Sequence, residues 1–195
     1  MIVHPITLTG RLVMLEPLKM EHAADLTLAG KHKAIWTYMR YGEVDTLEKM
    51  NSFIIQLLKW QTRGLDLPFA VVYRPSGRAI GMTRFMNIDP ENRSLEIGGT
   101  WYGIDFQRTG VNTECKLLLL QHAFEELGCI RVQLKADLRN ERSLNAISRI
   151  GAVREGVLRN HMILPDGTIR SSVYFSILAE EWPAVKQRLI GFLNQ

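Results

Sequence analysis

The sequence predicts an α+β fold in which helices flank a mixed, mostly antiparallel sheet of about seven strands. Strand-like and helix-like segments alternate across residues 1–195 without a linker, a low-complexity tract or an internal repeat, so we expect a single domain. Three successive strands precede one long helix, and another strand follows that helix. A strand–helix–strand unit of this kind crosses over right-handed and makes its two strands parallel.

The N-terminal half supplies one strand, two helices and a hairpin. Alternating residues over 11–16 predict the first strand, which Pro17 ends. Helical spacing predicts a helix over 20–29 and a longer one over 46–63, with Asp45 or Thr46 as its cap. The other strands of this half are 68–73 and 78–88, joined by a turn at Pro75-Ser76-Gly77.

The C-terminal half contains the crossover. Residues 94–102 predict a strand in which the pair Gly98-Gly99 indicates a bulge or the close approach of another backbone. A wide apolar stripe predicts a helix over 110–127. The remaining elements are a strand over 130–137, a short helix over 141–150, a hairpin of 152–164 and 168–178 around Pro165-Asp166-Gly167, and a final helix over 180–193.

Composition narrows the class of partner. The net charge of +4 favours an anionic partner, such as a phosphorylated cofactor, but no run of five basic residues predicts a nucleic-acid tail. No run of about 18 apolar residues predicts a membrane span, and the N-terminus does not resemble a leader, so we expect a cytoplasmic protein in a bacterial host. Cys115 and Cys129 fall in or beside an apolar helical stretch and lack metal spacing, so we expect buried thiols and no metal.

The segment Gln107–Glu114 lies between a predicted strand and the start of the longest apolar helix. Backbone N–H groups at a helix start are unpaired and face the positive end of the helix dipole, which suits an anion such as a pyrophosphate. Gly110 removes a Cβ from the approach, and Arg108 adds a positive charge. Ordinary helix capping is the alternative interpretation of the same residues.

A second polar segment begins at Asn140, after the other strand of the parallel pair. Asn140 is itself a candidate helix cap. Two parallel strands that each run into a helix start splay apart at their carboxyl ends, and ligands bind in such crevices. The two segments together therefore predict a V-shaped binding cleft.

Residues from about Arg93 to Ile177 resemble the GNAT superfamily of N-acetyltransferases. The run Gln107–Asn112 follows the family's pyrophosphate motif Q/R-x-x-G-x-G/A, with Asn112 in place of Gly or Ala. The next motif, N-x-x-S/A-x-x-A, is matched by Asn140, Ser143 and Ala146. The branch that acetylates the N-termini of ribosomal proteins is the most similar one, on the runs Leu8–Leu12, Glu96–Gly98 and Arg154–Arg159.

The resemblance implies an enzyme that moves an acetyl group from acetyl-CoA to a primary amine, with a protein N-terminal amine as one candidate acceptor. It implies Glu96 as the base, with Asp137 in reserve, and Ser143 as donor to the leaving thiolate. Ile147 stands where many members carry a catalytic Tyr, and Tyr174 is a further candidate acid. The implied CoA-binding residues are Trp101, Tyr102, Gln107, Arg108, Thr109, Gly110, Val111, Asn112, Thr113, Asn140 and Ala146.

Three alternatives stay open at this point. Asn112 and Ile147 are compatible with a protein that binds acyl-CoA without turnover. The acceptor could equally be a small-molecule amine. The basic charge alone would also fit an RNA- or ribosome-binding module, which predicts binding that weakens with salt. A homodimer is compatible with the sequence, although no pattern in it indicates one.

Overall fold

The computed structural model describes residues 1–195. Its eight strands are β1 (Leu8–Thr9), β2 (Val13–Pro17), β3 (Asp66–Tyr73), β4 (Arg78–Asp89), β5 (Ser94–Tyr102), β6 (Arg131–Asp137), β7 (Val153–Ile163) and β8 (Ile169–Leu178). The helices are α1 (Ala23–Ala29), α2 (Leu47–Thr62), α3 (Gly110–Gln121), α4 (Glu141–Arg149) and α5 (Trp182–Leu193). A π turn over His122–Glu126 continues α3. No helix combines the length and apolar character that crossing a membrane requires.

All strands belong to one sheet in the order β1-β2-β3-β4-β5-β6-β8-β7, and only β5 and β6 are parallel. The predicted mixed, mostly antiparallel architecture is therefore confirmed. The sheet has one strand more than predicted, because Leu8–Thr9 pairs with Met14 and Leu15 of β2. The strand predicted over 11–16 begins later, at Val13, since the carboxylate of Glu114 holds the N–H groups of Arg11 and Leu12.

Apolar side chains fill both faces of the sheet, but over different areas. A core of 29 buried residues lies between the sheet and the face that carries α3 and α5. A core of 14 buried residues lies under α1 and α2 on the opposite face. Along β6 and over residues 172–177 of β8 the side chains alternate, so that apolar residues enter the larger core and polar ones face the other way: Gln133, Lys135 and Asp137 on β6, and Ser172, Tyr174 and Ser176 on β8.

The parallel pair opens after a short stretch of pairing. Residues Ser94–Glu96 of β5 pair with Arg131–Gln133 of β6. Beyond them, β5 continues against β4 as far as Tyr102, and β6 continues against β8 as far as Asp137. The two strands therefore diverge and leave a gap between them, as the sequence predicted.

A bulge in β5 sits at the wall of this gap. Gly99 has a φ of 58°, in the left-handed region that favours glycine. A Cβ at this position would lie 2.5 Å from Nε of Arg84 on the neighbouring strand. Both properties require glycine here, and the register between β4 and β5 shifts at the same level. The bulge expected from the Gly98-Gly99 pair is present.

Candidate active site

The loop before α3 crosses the open end of the gap. The side chain of Gln107 donates from Nε2 to the carbonyl of Tyr102, 3.0 Å away, which ties the loop to the end of β5. Arg108 adopts a left-handed φ of 60°. Thr109 is the N-cap of α3, and its Oγ1 accepts the Val111 N–H at 3.3 Å. The capping interpretation of Thr109 therefore holds, and the first turn of α3 faces the gap as a helix N-terminus.

Two guanidinium groups flank this helix start without a carboxylate partner. Arg142 on α4 donates to Oε1 of Gln107, so its side chain reaches across from the far wall of the gap. Arg108 makes no ion pair. Exposed cations beside main-chain donors at a helix N-terminus fit a diphosphate. The residues present are therefore suited to the phosphates of CoA.

Gly110 is also required by the packing of α3. A Cβ built on Gly110 would meet Cδ1 of Leu12 at 3.0 Å and Cδ2 of Leu193 at 3.7 Å. It would point toward the β1–β2 loop and α5. The glycine lets α3 pack closely against Leu12, and its expected role toward a phosphate stays a prediction.

Trp101 and Tyr102 end β5 on opposite faces of the sheet. Trp101 is buried in the smaller core, where its ring lies 4.9 Å from that of Trp36, and its indole N–H has no partner. Tyr102 is buried in the larger core, donates to Oδ1 of Asn112 at 3.2 Å, and has its pKa raised by burial. Neither side chain faces the gap freely. Their backbone edge, which β6 leaves unpaired, is the part available to a pantetheine arm.

Glu96 occupies the last paired position before the strands diverge. Its side chain is almost fully buried on the polar face of the sheet. Asn87 and Gln133 each donate to Oε2 at 2.9 Å, and Nζ of Lys135 lies 3.0 Å from the same oxygen. No protein donor contacts Oε1. The contacts to Oε2 therefore fix the orientation of the carboxylate, and Oε1 remains available to a ligand.

Asp137, the reserve candidate, is engaged by its neighbour Arg139. The carboxylate is fully buried, accepts the Arg139 N–H at 2.9 Å, and accepts from the guanidinium at 3.0 and 2.7 Å. Burial acts to raise the pKa of Asp137, but the hydrogen bonds and charge of Arg139 outweigh it and lower the pKa. A carboxylate stabilised in this way is a weak base.

The helix α4 carries the remaining motif residues. Asn140 is its cap, because Oδ1 accepts the Ser143 N–H at 3.1 Å. The hydroxyl of Ser143 makes no hydrogen bond to the protein, and Ala146 is partly buried. Ile147 is buried in the larger core, so the residue aligned with the family's catalytic Tyr does not reach the gap. Tyr174 lies on the polar face, where its hydroxyl is 3.2 Å from Nε2 of His161.

Several site residues carried no motif signal. Lys116 on α3 is buried, donates to Oγ1 of Thr100 at 3.1 Å, and has its pKa lowered to about 8 by burial. Lys135 pairs with Glu96 from the next strand. Period-two alternation along β6 places Lys135 on the face of the sheet away from the larger core, and this alternation is the one sequence signal for its pairing with Glu96. The positions of Arg142 and Arg170 in the site depend on the packing of segments that are distant in sequence, which a local pattern does not encode.

A sheet that opens between two parallel strands, with a cationic helix start across the opening, forms a crevice suited to a ligand that carries phosphates. A family model for the acetyltransferase (GNAT) domain matches residues 12–153. The chain therefore belongs to the GNAT family and is an N-acetyltransferase; the family uses acetyl-CoA as its donor. No three His, Cys, Asp or Glu side chains come together as metal ligands.

Relatives agree with this assignment. A protein of Bacillus subtilis (strain 168) with the provisional name ribosomal N-acetyltransferase YdaF is 30% identical over 177 residues, which cover 89% of this chain and 93% of that protein. The crystal structure of a GCN5-related N-acetyltransferase from Brucella melitensis is 31% identical, with a TM-score of 0.92 over 98% of this chain and 86% of that one. Mycobacterium smegmatis RimJ in complex with CoA-disulfide shares the fold, with 24% identity, a TM-score of 0.81, and coverage of 96% and 94%.

Proposed function

We propose that this acetyltransferase modifies the N-terminal amine of a protein or peptide, with Glu96 as the base. The observation that carries the proposal is the position of Glu96, at the vertex where β5 and β6 separate. An acyl group held in the gap and an amine arriving over the polar face meet at this vertex. The printed name of the Bacillus subtilis relative, a ribosomal N-acetyltransferase, supports a protein acceptor.

The reaction needs a neutral amine at the acyl carbon. In the proposed sequence, the acceptor's ammonium group gives a proton to Oε1 of Glu96, directly or through a water molecule, and the free amine attacks. The fixed orientation of Glu96, held by Asn87, Gln133 and Lys135, removes the need to order the base in each turnover. The C–S bond then breaks as the new C–N bond is completed, and the remaining extra proton on the nitrogen passes to the departing thiolate.

The leaving thiolate needs a donor on the α4 side of the gap. The hydroxyl of Ser143 is free of protein partners, and the bond from its N–H to Asn140 fixes its backbone at the helix start. We assign Ser143 to that role. The first-turn amides of Gly110–Thr113, with Arg108 and Arg142, hold the phosphates and so set the depth to which the thioester enters.

Other properties expected from the sequence remain proposals. A cytoplasmic location and assembly as a homodimer belong to this group. A small-molecule amine is the competing acceptor class, and the polar, helix-free face of β6 and β8 admits either class. Binding of acyl-CoA without turnover is the competing function, and an acceptor screen distinguishes it.

Glu96→Gln tests the base. We expect kcat in a thiol-release assay to fall by about a hundredfold or more, since general-base catalysis contributes that much, while calorimetry shows little change in the Kd for CoA. The matched control is Glu91→Gln, an exposed glutamate in the β4–β5 turn. Wild-type activity in Glu96→Gln would move the base elsewhere. CoA binding by the wild type without thiol release from any amine or peptide would favour the sensor.

A further inference from the structure

The polar face near Glu96 carries more positive than negative charge. Each of its buried carboxylates has a cation in contact: Asp66 with Arg84 at 2.5 Å, Glu96 with Lys135 at 3.0 Å, and Asp137 with Arg139 at 2.7 Å. Two further guanidinium groups, those of Arg40 and Arg170, have no carboxylate within ion-pair distance. The local excess of positive charge therefore comes from Arg40 and Arg170.

Arg170 is the more informative of the two, because it is buried. Only 7% of the residue is exposed, and its guanidinium donates from Nε to Oγ of Ser172 at 3.0 Å and from Nη1 to the carbonyl of Tyr38 at 3.1 Å. Nη2 donates to no protein atom. A buried charge without an ionic partner costs free energy, and an anion bound at the free Nη2 donor would offset that cost.

Side-chain contacts connect Arg170 to the proposed base. Ser172 Oγ lies 2.9 Å from Nδ1 of His161, whose Nε2 is 3.2 Å from the hydroxyl of Tyr174. The ammonium of Lys135, which pairs with Glu96, lies 5.7 Å from the centre of the Tyr174 ring. These side chains share one face of the sheet, so Arg170 and Glu96 belong to one cleft.

Arg40 approaches the same cleft from the segment between α1 and α2. Its guanidinium lies 5.6 Å from the Tyr41 ring centre and 5.8 Å from that of Trp60, which orients it without neutralising it. Burial is the largest cause of the lowered pKa of Arg170. Among its charged neighbours, Asp137 acts most strongly and raises this pKa from beyond ion-pair distance, Glu96 and Tyr174 also raise it, and Arg40 lowers it.

We propose that Arg170, assisted by Arg40, forms an anion subsite, and that the preferred acceptor carries an acidic group close to its amine. This inference rests on the proposed function, because it takes Glu96 as the place of the amine. The acidic group has two chemical sources: an acidic side chain near a peptide N-terminus, or the carboxylate of a free amino acid. A bidentate guanidinium–carboxylate contact through Nη1 and Nη2 would give the subsite geometric selectivity.

Matched acceptors test the subsite. The probes are two peptides that begin Ala-Glu and Ala-Gln and are otherwise identical, together with free alanine and alaninamide, which differ only in the carboxylate beside the amine. Binding to the CoA-loaded protein is measured by calorimetry, and kcat/KM by thiol release. We expect the acidic member of at least one pair to be preferred by about tenfold or more. A preference within the peptide pair alone identifies the first source, and one within the amino-acid pair alone identifies the second.

Variants separate the subsite from the chemistry. In Arg170→Gln the preference should collapse to about one, and in Arg170→Lys it should be partly retained, because a cation remains. Arg159→Gln, an exposed arginine on β7, is the control and should keep the preference. Equal binding of both members of each pair by the wild type, no binding of any probe, or a preference that survives in folded Arg170→Gln would overturn the subsite. Selective binding without acetylation would overturn the proposed function and leave the subsite standing.

Discussion

Replacing Lys116 with methionine should make the protein more stable at neutral pH. Lys116 is buried on α3, and its ammonium contacts the Thr100 hydroxyl but no carboxylate. Burial lowers its pKa from 10.5 to about 8. At about 1.4 kcal/mol per pKa unit, the charged form costs the folded state about 3 kcal/mol. Loss of the hydrogen bond to Thr100 offsets about 1 kcal/mol of this, which leaves a gain of about 2 kcal/mol.

The sign of the pH dependence follows from the same pKa. Between pH 8 and pH 10.5 the folded state has released the Lys116 proton, whereas the unfolded state still binds it. Stability rises with pH wherever the unfolded state binds more protons, so this contribution makes the wild type more stable as the pH increases through that window. The advantage of Lys116→Met should therefore be largest at pH 7 and should narrow toward pH 10.

Urea unfolding at pH 7 and pH 10 measures both the gain in stability of Lys116→Met and its change with pH. The expected gain corresponds to an increase in Tm of about 4–8 °C for a chain of this size. Lys59→Met is the matched control, because Lys59 is exposed on α2 and forms no ion pair, so its replacement should change stability by less than about 0.5 kcal/mol. A less stable Lys116→Met at pH 7, or a difference that does not vary with pH, would refute the reasoning.

Two further predictions concern the gap. Gly99→Ala should lower the free energy of unfolding by about 2 kcal/mol or more, because it combines a left-handed φ with a Cβ placed 2.5 Å from Arg84. Gly64 is also left-handed but has no atom within 4 Å of an added Cβ, so Gly64→Ala is the control that isolates the clash in urea unfolding. Equal losses in the two variants would contradict the clash. Arg142→Glu should weaken CoA binding about tenfold in calorimetry, with Arg154→Glu on β7 as control. Unchanged affinity in Arg142→Glu would remove that residue from the phosphate site.

Sequence reasoning identified the order of the elements and the parallel pair, because period-two alternation and helical spacing are local properties. Its boundary errors have tertiary causes. The first strand begins at Val13 because Glu114, about one hundred residues later, accepts the N–H groups of Arg11, Leu12 and Val13. The end of the long helix becomes a π turn at His122–Glu126, which no propensity argument distinguishes from a regular helix.

The candidate site could be predicted to a similar extent as the fold. The loop Gln107–Thr113 and the residue Glu96 belong to recognisable runs, and the structure places both at the gap. The roles of Lys135 and Arg170 could not be predicted, because they depend on which strands become neighbours. Gly110 carries a constraint that its motif does not reveal, because its missing side chain accommodates Leu12.

The short parallel pairing of β5 and β6 has a mechanical consequence. Three residue pairs join the half of the sheet that ends at β5 to the half that begins at β6. Deformation should concentrate along this seam, since antiparallel ladders of up to eight residue pairs hold each half together on either side of it. The mutual angle of the two halves should therefore be the softest degree of freedom of the sheet, and a thioester bound there in the proposed way would connect the two halves.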